Sequence, residues 1–188
     1  MAQSKLVLVT GATGKQGGAC VEALLNRGHQ VRALTRNPAS PAANRLRERG
    51  VDIAVGDFTD RDSLVRAARG ADAVYAMSTP YEQGSKQEIA QGITITDAAR
   101  AVRIAHFVYS SVASANRGTG IEHFDGKYSV EKHIQASGVP YTISGGSAHA
   151  PIIRPGRRSC AARNSASMTS CSTASASRPH GFGHCGAR

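Results

Sequence analysis

The stretch LVLVTGATGKQGG, residues 6–18, decides how the rest of the chain is read. Four apolar residues end in a threonine, and glycines then fall at positions 11, 14 and 17. This is the pattern of a buried strand that turns into a helix over a phosphate group. The three glycines act differently. Gly11 permits the tight turn, Gly14 lets the main chain approach a pyrophosphate, and Gly17 lets the helix pack closely on the strand. The helix N-terminus then offers unpaired N–H groups and a positive dipole end to the anion. Glycines at this spacing also occur in ordinary tight turns. The strand-like run before them and the helix-like run after them favour a dinucleotide site.

Outward from this turn the chain alternates. Ala19, Val21, Ala23, Leu24 and Leu25 give the first helix an apolar face, and Gly28 stands where its C-terminal cap is expected. A strand is predicted over 30–35, then a helix over 41–49 that starts at Pro41 and stops at Gly50. A third strand over 51–55 is followed by a short helix capped by Asp60 and closed by Gly70, and a fourth strand by residues 72–77. The next helix spans 86–103. Within it Ile93-Thr94-Ile95-Thr96 alternates as a strand would, but the flanking Ile89, Ala90, Ala98, Ala99 and Val102 favour helix. Residues 104–110 read as a fifth strand, 123–137 as a helix ending at Gly138, and 139–143 as the start of a sixth strand. Six strands alternating with helices predict an α/β fold: a doubly wound parallel sheet covered on both faces, with right-handed crossovers.

A chain of 188 residues holds one domain with a sizeable core, or one domain and a tail. The net charge of +10 is unevenly spread: from Ser144 onward there are six arginines and no lysine, aspartate or glutamate, which leaves +4 for residues 1–143. The predicted domain is thus only mildly basic, and direct nucleic acid binding by it is not expected. No secretory leader or membrane span is visible, which points to a cytoplasmic, reduced protein. Over 144–188 the large apolar residues are Ile152, Ile153, Met168 and Phe182, too few to offset the ordering entropy, so a disordered tail is expected. Cys160, Cys171, His180, His184 and Cys185 lie in that tail, but their spacing does not match the short Cys-x-x-Cys pairs of structural zinc sites, and no metal is expected.

The end of the second strand distinguishes the dinucleotides. An NAD site usually carries an Asp or Glu there for the ribose hydroxyls, whereas this chain has Thr35-Arg36-Asn37. The Arg36 guanidinium would attract a 2′-phosphate, which favours NADP over NAD; the alternative is a solvated surface arginine. Asp57 and Phe58 follow the third strand, where they border an adenine or serve as a cap and a core residue. Ser78 and Thr79 follow the fourth strand, and Ser110 and Ser111 the fifth, at the carboxyl ends where ligands bind in open α/β sheets. In His123-Phe124-Asp125-Gly126-Lys127 the lysine opens a helix at the same edge, within reach of a nicotinamide ribose or of a nearby acid.

Taken in order, VTGATGKQGG, TRNP, GDFTD, HFDGK and GVPYTI resemble the NmrA-like family, atypical members of the short-chain dehydrogenase/reductase group. The resemblance covers residues 5–143. It implies a Rossmann fold that binds NADP or NAD, in a family divided between reductases and redox-sensing regulators. Carried over by position, Gly11, Thr13, Gly14, Lys15, Gln16 and Gly17 would hold the pyrophosphate and Arg36 the 2′-phosphate. Ser78 and Thr79 would lie along the cofactor, and Lys127 would match the lysine near the nicotinamide. Classical relatives have Tyr-x-x-x-Lys with a glutamate four residues on. Here His123, Lys127 and Glu131 occupy that register, so a histidine replaces the tyrosine that acts as general acid. Tyr128 and Lys132 restore the spacing in a register shifted around the helix, and rank second.

The resemblance thus implies an NADPH-dependent reductase with a small-molecule substrate. The alternatives are an NADP-sensing regulator that acts through a protein partner, and an inactive truncated product. The last follows from a departure at Tyr141-Thr142-Ile143, where Ser144-Gly145 replaces the Leu-Arg-Pro that usually opens the family's substrate-side region. Losing one base from CTC-CGG gives TCC-GG, which encodes Ser-Gly, so 144–188 is expected to be out-of-frame translation of GC-rich DNA. Reading the gene in its other two frames checks this: a continuation starting Arg-Pro is expected in one of them, and its absence from both refutes the frameshift.

Overall fold

The computed structural model describes residues 3–78, 84–118 and 120–146. Six strands form one sheet: β1 (Leu6–Val9), β2 (Gln30–Thr35), β3 (Asp52–Val55), β4 (Ala73–Ala76), β5 (His106–Val112) and β6 (Tyr141–Gly146). Every pairing is parallel and the spatial order is β3-β2-β1-β4-β5-β6, so the doubly wound Rossmann-type sheet expected from the alternation is present. The helices are α1 (Lys15–Leu25), α2 (Pro41–Glu48), α3 (Arg61–Ala68), α4 (Gly84–Ala101) and α5 (Glu122–Ser137), with a 3-10 turn at Ala115–Arg117. Among the described residues no helix is long and apolar enough to cross a membrane. The tail from residue 147, with its cysteines and histidines, lies outside the described residues.

Local chemistry sets the helix ends. Ser40 accepts a hydrogen bond from the Ala43 N–H with Pro41 at the first helical position, and the Asp60 carboxylate accepts from the N–H groups of Asp62 and Ser63. Gly138 ends α5 in the left-handed region at φ 76°. The alternating Ile93–Thr96 segment is helical, because the Thr94 and Thr96 hydroxyls donate to the carbonyls of Ala90 and Gly92 one turn back at 2.8 and 2.7 Å. Those bonds satisfy the hydroxyls inside the helix, so the β-branched residues do not force a strand.

Strand β6 departs furthest from expectation. It begins at Tyr141 rather than 139 and runs to Gly146, with Ser144, Gly145 and Gly146 paired to Ser110, Ser111 and Val112 of a β5 that itself runs two residues further than expected. A parallel ladder is made by main-chain groups, so small residues beside an existing strand join it without side-chain patterning.

Both faces of β1 are buried. Leu8 faces a cluster with Leu34, Leu64, Val74, Ile95, Phe107 and Ile134 that α3, α4 and α5 cover, while Val7 and Val9 face Val21, Val31 and Leu46 under α1 and α2. Buried positions Glu88, Gly92, Ile95, Thr96 and Ala99 recur on one face of α4. The α4–α5 contact is close: a Cβ on Gly92 would lie 2.6 Å from Val130 Cγ1. Gly92→Ala is therefore expected to destabilise the fold by about 1–3 kcal/mol through overpacking against a stiff β-branched side chain. Denaturant unfolding of this variant, and of Gly92→Ala combined with Val130→Ala, checks it, with partial recovery expected in the pair.

Candidate functional site

The β1–α1 turn lies where the strand order reverses, between β1 and β4. Thr10 fixes it from below: its hydroxyl donates to the Met77 carbonyl at 3.1 Å and accepts from the Met77 N–H at 2.8 Å, which holds the ends of β1 and β4 together. Gly11 adopts φ 63°, and a Cβ there would sit 2.8 Å from the Met77 sulfur. Gly17 is held more tightly, since a Cβ would lie 2.2 Å from the Gly11 carbonyl oxygen and 2.8 Å from the Ala12 nitrogen, both main chain. Gly14 caps α1 with no side-chain hydrogen bond, and a Cβ there would meet one atom at an ordinary 3.4 Å. The first and third glycines thus shape the turn, and the second leaves its outer surface bare beside the exposed Thr13 and Lys15. An uncapped helix start with main-chain N–H groups behind a bare glycine fits a phosphate chemically and sterically.

Gln16 connects the turn to the opposite half of the sheet, its amide donating to the Tyr75 hydroxyl at 3.1 Å and to the Ser110 hydroxyl. Beyond it, at the carboxyl ends of β4 and β5, lies Lys127, whose side chain is 5% exposed. Its Nζ donates to the Ser78 carbonyl at 2.7 Å, the Ser110 carbonyl at 3.2 Å and the Ser78 hydroxyl at 3.4 Å, and lies 5.0 Å from the centre of the Tyr109 ring. Glu88 Oε1 stands 3.0 Å from the same ammonium. The second oxygen, Oε2, accepts from His123 Nδ1 at 2.8 Å. Burial pulls the Lys127 ammonium below the usual lysine range, opposed by the charges of Glu88 and Glu131. Burial also pushes the phenols of Tyr109 and Tyr75 up, and the Cys20 thiol up to about 11, so Cys20 is inert near neutral pH.

The structure thus brings together Gly11, Gly14, Gln16, Gly17, Ser78, Ser110, His123 and Lys127 along one edge of the sheet. Tyr128 is turned elsewhere, its ring 5.1 Å from Lys132 Nζ, so the second register forms a separate pair. Arg36 is exposed at the end of β2, and its charge helps hold the Asp57 carboxyl below the usual range, after the larger effect of two hydrogen bonds from Thr59. Asp57 therefore closes its own turn, and Phe58 packs against the larger core cluster. Ser111 donates to Glu131. Thr79 lies outside the described residues, and among those described no three potential ligands cluster for a metal. Glu88 is a site residue that the sequence reading misses. A signal for it exists: it stands four residues before Gly92 and seven before Ile95 on the buried stripe of α4.

A parallel sheet in the order 3-2-1-4-5-6, with a glycine turn at its switch point, defines a domain of the dinucleotide-binding α/β class. The family model described as NmrA-like matches residues 3–168, and the chain belongs to the NmrA-like family. An NmrA-like oxidoreductase of Aspergillus hancockii is 37% identical over 123 residues, which are 63% of this chain and 37% of that protein. The crystal structure of Citrobacter sp. triphenylmethane reductase complexed with NADP(H) superposes with TM-score 0.67 at 29% identity, covering 74% of this chain and 48% of that one. The negative transcriptional regulator NmrA superposes with TM-score 0.65 at 25% identity, covering 75% and 45%. The chain therefore spans less than half the length of these relatives.

The glycine geometry separates two variants. Gly17→Ala is expected to disrupt the turn and destabilise the fold, because the Gly11 carbonyl and the Ala12 nitrogen must move, whereas Gly14→Ala is expected to keep wild-type stability within about 1 kcal/mol, close to the ordinary helix-position difference between glycine and alanine. Thermal or urea unfolding of both distinguishes them.

Proposed function

We propose that the chain is the NADP(H)-binding domain of an NADPH-dependent reductase. The observation that carries this reading is the glycine turn at the switch point: main-chain contact between Gly17 and Gly11, and an uncapped α1 behind a bare Gly14. When bound, NADPH supplies a hydride, and the protein supplies position and charge. Gly11, Gly14 and Gly17 would hold the pyrophosphate, with Thr13, Lys15 and Gln16 around it. Arg36 would meet the 2′-phosphate, which supports NADP over NAD because no carboxylate stands at the end of β2 to bind the ribose hydroxyls. Ser78 and Lys127 would line the cofactor's far half. The NADP(H) bound by the Citrobacter reductase supports the same assignment.

A second reading, an NADP-sensing regulator that acts through a protein partner, is favoured by His123 in the place of a general-acid tyrosine and by the likeness to the regulator NmrA. Turnover separates the two readings.

NADPH at a hundredfold excess over its Kd is expected to add about 2.7 kcal/mol of apparent stability, read as a thermal shift. Arg36→Ala is expected to weaken NADPH about tenfold to a hundredfold, the worth of one charge-assisted bond, and to leave NADH binding unchanged. Absence of a shift with either nucleotide refutes the reading. With a triphenylmethane dye or a quinone as hydride acceptor, NADPH oxidation that is lost in Lys127→Met supports the reductase. Binding without oxidation favours the regulator.

A further inference from the structure

We propose that Glu88 is the positioning residue of this site: a single buried carboxylate that holds the Lys127 ammonium with one oxygen and fixes the tautomer of His123 with the other. Glu88 is wholly buried, although Lys86 and Arg100 on the same helix are exposed and Asp97 is half-buried beside His133. The α4–α5 contact puts it there. Gly92 admits Val130, and Gly126 lies against Ile89, so the two helix backbones approach closely enough for the Glu88 side chain to meet two side chains of α5 one turn apart.

The two oxygens have different duties. Oε1 is 3.0 Å from Lys127 Nζ but off the hydrogen-bond line, and it is the one buried side-chain polar atom among the described residues without an aligned donor. The hydrogen bonds of the lysine go instead to Ser78 O, Ser110 O and Ser78 Oγ. Glu88 therefore serves Lys127 as a countercharge, leaving its protons to the strand ends. The bond to Ser78 Oγ is the longest, and it is the one a ligand group would displace. Around the ammonium stand Glu88 from α4, Glu131 and His123 from α5, and Tyr109 from β5.

Oε2 acts on His123. A carboxylate oxygen only accepts, so the hydrogen of the 2.8 Å contact is on Nδ1. This leaves Nε2 as the nitrogen that takes or gives a proton, on a side chain 31% exposed to water. The imidazole stands four residues before the lysine, where classical relatives carry tyrosine. Its use in proton transfer rests on the reductase reading; its orientation by Glu88 does not.

The test uses the full-length chain labelled with ¹⁵N and ¹³C, without nucleotide. Long-range ¹H–¹⁵N correlation spectra are recorded at alkaline pH, with His123→Asn giving the assignment. The Nδ1–H tautomer of His123 is expected, and the Nε2–H tautomer overturns the proposal. Lys127 is then titrated through its Cε and Nζ shifts. In Glu88→Gln its midpoint is expected at least one pH unit lower, a tenfold loss of proton affinity, and an unmoved midpoint in a folded variant overturns the proposal. If Glu88→Gln does not fold, the wild-type tautomer decides alone. Failure to bind NADPH would sink the nucleotide reading and leave these measurements standing.

Discussion

A lysine ammonium withdrawn from water is the constraint on which this domain turns. Taking such a charge into the interior costs several kcal/mol even after the surroundings relax, unless oxygens and a countercharge replace the water. Lys127 receives the carbonyls of Ser78, just beyond β4, and of Ser110, near the end of β5, together with the Glu88 carboxylate. Those carbonyls belong to the carboxyl ends of β4 and β5, the Glu88 carboxylate to α4, and the lysine to α5, so one cation ties four elements at the edge where the sheet presents its site. The arrangement depends on the close contact of α4 and α5, which in turn depends on the absence of a side chain at Gly92. Site geometry and helix packing are therefore a single requirement. A change that pushes the two helices apart would take the countercharge from the ammonium and leave the buried carboxylate without its partners on α5.

The site is legible in the sequence where the physical demand is local. The turn at residues 11–17 can be read because a positive φ at Gly11 and a main-chain contact at Gly17 exclude side chains at those positions, and such exclusions show directly as glycine. The parallel sheet covered on both faces follows from the alternation, and the side chains of β1 feed both faces; the strand order comes from the structure. Lys127 is placed through its motif and its distance from the turn. Glu88 is not, because a charged residue in a helix reads as solvent-facing unless the buried stripe is followed through it. The link from Gln16 to Ser110 joins residues nearly a hundred positions apart, and no local pattern encodes it. The extension of β6 through Gly146 escapes a sequence reading for the opposite reason: its residues carry no strand preference, and the neighbouring β5 supplies the hydrogen-bonding template.

Arg36 and Asp57 illustrate how a residue's surroundings narrow its reading. Asp57 accepts the Thr59 N–H and hydroxyl on one carboxylate oxygen, Oδ1, which closes the turn before α3 and favours the charged form of the acid. The Arg36 charge favours that ionised form, and the arginine is exposed at the end of β2. A turn-closing aspartate and an exposed arginine thus stand together at neighbouring strand ends.

The strand order also governs how the domain can assemble as it leaves the ribosome. β1 is made first and ends in the interior of the sheet, with one neighbour beginning at residue 30 and the other at residue 73. By the time β3 has emerged, α1 and α2 can close over Val7 and Val9, but Leu8 and Leu34 on the opposite face have no cover until α3, α4 and α5 are synthesised. Residues 6–55 are thus, at that stage, half a domain with an open apolar face. Its stability arrives late, through contacts distant in sequence, which slows folding.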